Sequence, residues 1–252
     1  MKYSVEMYVP KNKENYSLMI DKLKTYNKYE FVSITDGIKQ SNTNDFINFL
    51  SHNDIDLSKI CLHVSYMNRG KESVHDLLDF VIRKTGIKNV FLIRGGQWLN
   101  KDYESIIEVI NDINIRYNKY FTLHSSFYPD GYCYYSLEKS AEYAMLKIAH
   151  GCDYLISQYT TDYSNLERFK LLLDRFDLGR CLIPSVMPLL DDKAVNIVKS
   201  ITGKSDDVKF VSEENSINNL KANVEALSKL GFNHVHIFTL NHVKFLSELA
   251  YL

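Results

Sequence analysis

No stretch of this sequence approaches the roughly 20 consecutive apolar residues that a membrane span requires. The opening residues MKYSVEMYVPKNKEN have no sustained apolar core, so they do not read as a signal peptide. Charge of one sign is also missing: the formal net charge is -1, with no run of like charges, which gives no footing for nucleic acid and no tail. The four cysteines, Cys61, Cys133, Cys152 and Cys181, form no CxxC pair, which argues against a zinc ribbon. Each lies in or near an apolar segment and reads as a buried free thiol. Proline and glycine are scarce, 4 and 10 in 252 residues, and no Pro/Gly/Ser-rich linker divides the chain. The expectation is one cytoplasmic, reduced, metal-free, non-membrane domain over residues 1–252.

What is present is an alternation of strand and helix patterns. Strand-like runs lie at Tyr3–Val9, Phe31–Gly37, Ile60–Met67, Asn89–Gly95, from Phe121, at Tyr154–Asp162, Cys181–Pro188 and His234–Leu240. Amphipathic stretches separate them, the last two (from Asp191 and from Ser216) both falling between the seventh and eighth strands. Ser136 is placed to cap the start of the helix after the fifth strand and Gly151 its end. Eight strands alternating with helices predict an α/β fold, a single (β/α)8 TIM barrel, for which about 250 residues is the usual length. Spare length occurs only in KSDDVKFVSEENS, before the last strand, which reads as a mobile cover or as a plain solvated loop.

In such a barrel, chemistry sits at the carboxyl ends of the strands. That rule gathers Glu6, Thr35, Asp36, His63, Ser65, Arg94, Gly95, Tyr128, Asp130, Gln158 and Asn241. Glu6, inside the apolar run SVEMYVP, is costly to bury charged, so desolvation suits it to general-acid work near neutral pH; a structural ion pair with Arg94 is the bland alternative. Arg94 supplies a planar fork for a phosphate, and the glycines beside it allow close approach of a ligand. Gln158 can pair with an amide-like ring edge. Lys147 could reach a phosphate, or simply solvate a helix face. His63, like His124, His234 and His236, reads more readily as a core histidine than as a catalyst, and no spacing suits a metal. Trp98 and the cluster Tyr132, Tyr134 and Tyr135 offer stacking surfaces, a barrel cap or a dimer contact.

Taken in order, VEMYVPKNKE, FVSITDG, CLHVSYMN, GIKNVFLIRGG, SFYPDG, GCDYLISQYTTD, LIPSVMP and VHIFTLN resemble the methylenetetrahydrofolate reductase family, strand by strand over nearly the whole chain. The resemblance implies a (β/α)8 barrel that holds FAD at its carboxyl end and passes hydride from NAD(P)H to 5,10-methylenetetrahydrofolate. It implies Glu6 as the acid acting on the folate, Gln158 and Tyr128 as folate contacts, and Thr35, His63, Arg94, Gly95, Tyr128 and Lys147 as flavin contacts. The chain departs from the family pattern at Asp36, Gly96, Ser140, the Gly131–Cys133 region and His242, mostly on the flavin side. Three functions follow from this: an FAD-dependent reductase, a flavin-independent or partner-dependent folate enzyme, and a non-catalytic folate- or partner-binding paralogue. A homo-oligomer or a partner subunit is compatible with each.

Overall fold

The computed structural model describes residues 1–10, 13–25, 29–35, 43–95, 102–131, 135–202 and 212–242. The strands are β1 (Lys2–Tyr8), β2 (Phe31–Thr35), β3 (Ile60–Ser65), β4 (Asn89–Ile93), β5 (Thr122–Phe127), β6 (Tyr154–Ser157), β7 (Leu182–Ile183), β8 (Ser185–Val186) and β9 (His234–Phe238). Between them run α1 (Tyr16–Thr25), α2 (Thr43–Leu50), α3 (Tyr66–Arg69), α4 (Lys71–Lys84), α5 (Ile106–Arg116), α6 (Leu137–Ala149), α7 (Tyr163–Asp174), α8 (Asp192–Thr202) and α9 (Glu213–Lys229). Among the described residues, no helix is long and apolar enough to cross a membrane.

The strands form one sheet in the order β7-β6-β5-β4-β3-β2-β1-β9-β8. Its first and last members are consecutive pieces of one strand, interrupted at Pro184. Proline has no N–H to give to a ladder, so pairing stops there, while its carbonyl accepts the His236 N–H at 2.8 Å. Counting β7 and β8 as one strand gives the eight expected, and the fold is that of an α/β TIM barrel.

By its contacts the chain falls into two compact units: residues 1–6, 127–145 and 155–252, and residues 7–126 with 146–154. In the second unit, β3 pairs with β4 and β4 with β5, all parallel, placing His63 beside Phe91 and Phe91 beside His124. The His63 and Phe91 rings meet edge-on at 4.6 Å, and His124 lies between Phe31 at 5.0 Å and Tyr154 at 5.3 Å. Outside this layer the helices bury one stripe each. In α5 that stripe is Ile106, Val109, Ile110 and Ile113, and in α4 it is Val74, Leu77, Leu78 and Val81. Each such side chain contributes about 1.5–3 kcal/mol of burial. In the first unit, Ser4 pairs in register with His236, and its Oγ bonds His236 Nδ1 at 2.8 Å and His234 Nε2 at 3.1 Å. There α7 packs Phe169 against Phe127 at 4.9 Å.

The helix caps fall where expected. Ser136 Oγ accepts the Lys139 N–H at 3.3 Å. Gly151, at φ 99, turns the chain out of α6 while Cys152 N bonds the Lys147 carbonyl at 3.0 Å. Several boundaries move, among them the end of β6, expected at Asp162 and found at Ser157. Tyr66 and Met67, expected to continue β3, instead begin the one-turn helix α3, closed by Gly70 at φ 75. The helix after β4 starts at Ile106, because Ser105 caps it by accepting the Glu108 N–H. The helix expected from Ser216 starts at Glu213, because Ser212 caps it by accepting the Asn215 N–H. Asp36, Gly96, Trp98, Tyr132, Cys133 and Tyr134, most of the expected cover (204–211) and the chain after His242 lie outside the described residues. Cys61 and Cys152 are buried free thiols and Cys181 is half-buried.

Candidate active site

The expected site residues sort by unit. Glu6, Tyr128 and Gln158 belong to the first; Thr35, His63, Arg94, Gly95 and Lys147 belong to the second.

In the first unit, Glu6 points to the same face of β1 as Ser4 and is only 8% exposed. Burial pushes its carboxyl up to about 8, so at neutral pH it holds its proton. Its backbone carbonyl accepts the Thr239 hydroxyl at 2.6 Å, and the same hydroxyl oxygen accepts the Asn241 N–H at 3.1 Å. Thr239 thereby ties the acid's strand to the turn after β9. That turn runs through two left-handed non-glycine residues, Leu240 at φ 49 and Asn241 at φ 66. Thr239→Val keeps the shape and loses both bonds at a site 1% exposed, so it should cost about 2 kcal/mol, read as a fall in Tm.

Gln158 follows β6, half-buried, its N–H bonded to the Phe127 carbonyl at 2.8 Å. Its side-chain oxygen accepts the Tyr159 N–H at 3.0 Å, which directs the amide's donor end outward from that bond. Tyr128 is half-buried, and Tyr159 behind Gln158 is buried, its phenol raised by burial. Asp130 and Asp162 have structural duties: Asp130 accepts from Asn165 Nδ2 at 3.1 Å, and Asp162 caps α7. His242, after the last strand, bonds Asp191 at 3.0 Å.

In the second unit, Thr35 is half-buried at the end of β2. Arg94 is exposed just past β4, its Nε donating to the thioether of Met67 at 3.3 Å and its carbonyl accepting the Met67 N–H at 3.1 Å. Gly95 sits at φ 89, a conformation few L side chains adopt. His63 is buried, with Nε2 sharing a 3.1 Å hydrogen bond with Ser33. Lys147, on α6, is 5% exposed and donates to the Ser126 carbonyl at 2.5 Å; burial lowers its ammonium to about 8. Ser140 is buried on the same helix. Sequence reading did not single out Met67 or Asn68, because strand periodicity gave no sign of a helical turn at Tyr66. Among the described residues, no group of three or more His, Cys, Asp or Glu side chains could hold a metal ion.

Compared with solved structures, the chain is similar to an uncharacterized protein from Clostridium thermocellum that binds two copies of 5-methyl-5,6,7,8-tetrahydrofolic acid. The TM-score is 0.66 at 13% identity, covering 98% of this chain and 91% of that one. It is also similar to a GH18 chitinase from Pseudoalteromonas aurantia (TM-score 0.55, 10% identity, 100% and 99% covered). A putative deoxyribose-phosphate aldolase from Coccidioides immitis matches with TM-score 0.55 at 8% identity, with 98% and 84% covered. At these identities the likenesses speak for the fold alone. No curated protein matches the sequence. The model of the methylenetetrahydrofolate reductase family matches residues 1–250, and the chain belongs to that family.

Proposed function

We propose that this protein reduces 5,10-methylenetetrahydrofolate to 5-methyltetrahydrofolate, with NAD(P)H as the hydride source and FAD as the relay. The observation that carries the reading is Glu6: a carboxylic acid at the end of β1, buried and protonated at neutral pH. The atoms of the reaction call for such a group. Turning a carbon that bridges N5 and N10 into an N5-methyl breaks the carbon–N10 bond. The carbon takes a hydride, and N10 must take a proton. Glu6 supplies that proton, and its raised pKa keeps it loaded at pH 7. Gln158 and Tyr128 hold and orient the folate ring.

A flavin bound here supplies the hydride relay between nicotinamide and folate. Arg94, exposed at the end of β4, and Thr35, at the end of β2, fit a phosphate- and ring-bearing ligand. His63 and Lys147 fit it less directly, because each bonds a protein partner, Ser33 or the Ser126 carbonyl. Those two bonds favour a second reading, in which the same acid serves direct hydride delivery from the nicotinamide. A non-catalytic paralogue has little use for a desolvated acid. Membership of the methylenetetrahydrofolate reductase family supports a folate ligand for this chain.

The test is the visible absorbance spectrum of the purified protein, before and after adding FAD. The expected result is a bound-flavin spectrum, bleached by NADH or NADPH and restored by methylenetetrahydrofolate. Folate-dependent nicotinamide oxidation without any flavin would replace this reading with the second. Absence of folate-dependent oxidation with and without FAD would overturn both.

A further inference from the structure

We infer that Asn68, with Ser65, is a positioning residue that holds the Arg94–Gly95 turn in the geometry from which Arg94 meets the cofactor. This rests on the reading above that the turn faces FAD.

Three observations within one unit support it. The first is the space beside Gly95. A Cβ there would run into Ser65 Oγ and lie 2.7 Å from Asn68 Oδ1 and 2.9 Å from Asn68 Cγ. The glycine at φ 89 is therefore needed because two side chains press against the turn from the β3–α3 segment. The second is the hydrogen bonding of Arg94. Its carbonyl accepts the Met67 N–H at 3.1 Å and lies 3.5 Å from Ser65 Oγ, while its Nε reaches the Met67 sulfur at 3.3 Å. Ser65 and Met67 thus hold the backbone of Arg94, and Met67 its side chain as well. The third is α3 itself. This single turn, closed by the Gly70 N–H on the Tyr66 carbonyl at 3.1 Å, takes Asn68 out of strand alternation and lays its amide beside Gly95.

The experiment uses the full chain with four variants: Asn68→Ala, Asn68→Asp, Ser65→Ala and Arg94→Ala. Two readouts are taken: hydrogen exchange of the Met67 amide, which bonds the Arg94 carbonyl, in the flavin-free protein, and FAD affinity by quenching of flavin fluorescence. Asn68→Ala should speed Met67 exchange and weaken FAD binding, each roughly tenfold to hundredfold, as expected when a contact is displaced by about an ångström. Asn68→Asp, of the same shape, should restore slow exchange, a rescue that a general loss of stability would not produce. Ser65→Ala should give a smaller change in the same direction. Unchanged Met67 exchange in Asn68→Ala overturns the inference. So does faster exchange with unchanged FAD affinity, provided Arg94→Ala itself loses affinity. If Arg94→Ala binds FAD as the parent does, the failure lies in the flavin reading of the turn, and the exchange data separate the two.

Discussion

Glu6→Gln should lower kcat for folate reduction by 10² to 10⁴, the usual contribution of a positioned acid, while making the protein more stable at pH 7. The two effects share one cause. In the folded chain burial holds the Glu6 carboxyl near 8; in the unfolded chain it titrates near the ordinary 4.5. The folded state therefore keeps a proton that the unfolded state releases. The stability attached to this group is fully present below about 4.5 and is lost as pH rises through about 8. At pH 7 the loss is at most about 3 kcal/mol, since each unit of difference is worth about 1.4 kcal/mol. Glutamine has the same shape and no proton to lose, so the variant should gain up to that amount, a Tm rise of roughly 6–12 °C. The gain should vanish toward pH 4. Parental turnover above pH 8 should fall with Glu6 deprotonation, and the residual turnover of the glutamine variant should lack that limb. Near-parental kcat would remove Glu6 from the chemistry; a Tm loss at pH 7 would mean that the buried carboxyl is held charged by a partner.

Much of this was legible in the sequence, and what was not has identifiable causes. The strand–helix alternation and its closure followed from periodicity, because each strand and each helix stripe must face a core. The Ser136 and Gly151 caps followed from local chemistry, which acts over three or four residues whatever the tertiary setting. Glu6 was readable because a lone carboxylate in an apolar strand has few physical options. The turn at Tyr66 was not, since ICLHVSYM alternates as a strand would throughout. Nor was the packing beside Gly95. A glycine after a strand suggests room for a ligand, whereas the room here is filled by Ser65 and Asn68. Asp130 and Asp162 show a limit of the carboxyl-end rule: polar residues gather there partly because turns and helix starts need them, as the cap on α7 does.

Lys147→Met should separate structural duty from cofactor duty at that residue. Burial lowers the Lys147 ammonium from 10.5 to about 8, so the folded state binds its proton less tightly than the unfolded state. The sign is therefore opposite to the usual lysine gaining a partner: stability from this group rises with pH, between about 8 and 10.5. At pH 7 the side chain is charged in both states, and the fold carries a desolvation cost of about 3 kcal/mol. Methionine fills a similar volume without the charge. It leaves the Ser126 carbonyl short of one donor, which costs about 1 kcal/mol. The net expectation is a variant more stable by about 2 kcal/mol at pH 7, a gain that shrinks as pH approaches 10. A further use for an ammonium kept at this cost on helix α6 is pairing with an anionic ligand. If that use is a phosphate of the cofactor, the stabilised variant should bind FAD at least tenfold more weakly, with the loss shrinking at high salt. Stabilisation with parental FAD affinity would take Lys147 out of the cofactor site. Destabilisation at pH 7 would show that the hydrogen bond to Ser126 outweighs the cost of the buried charge.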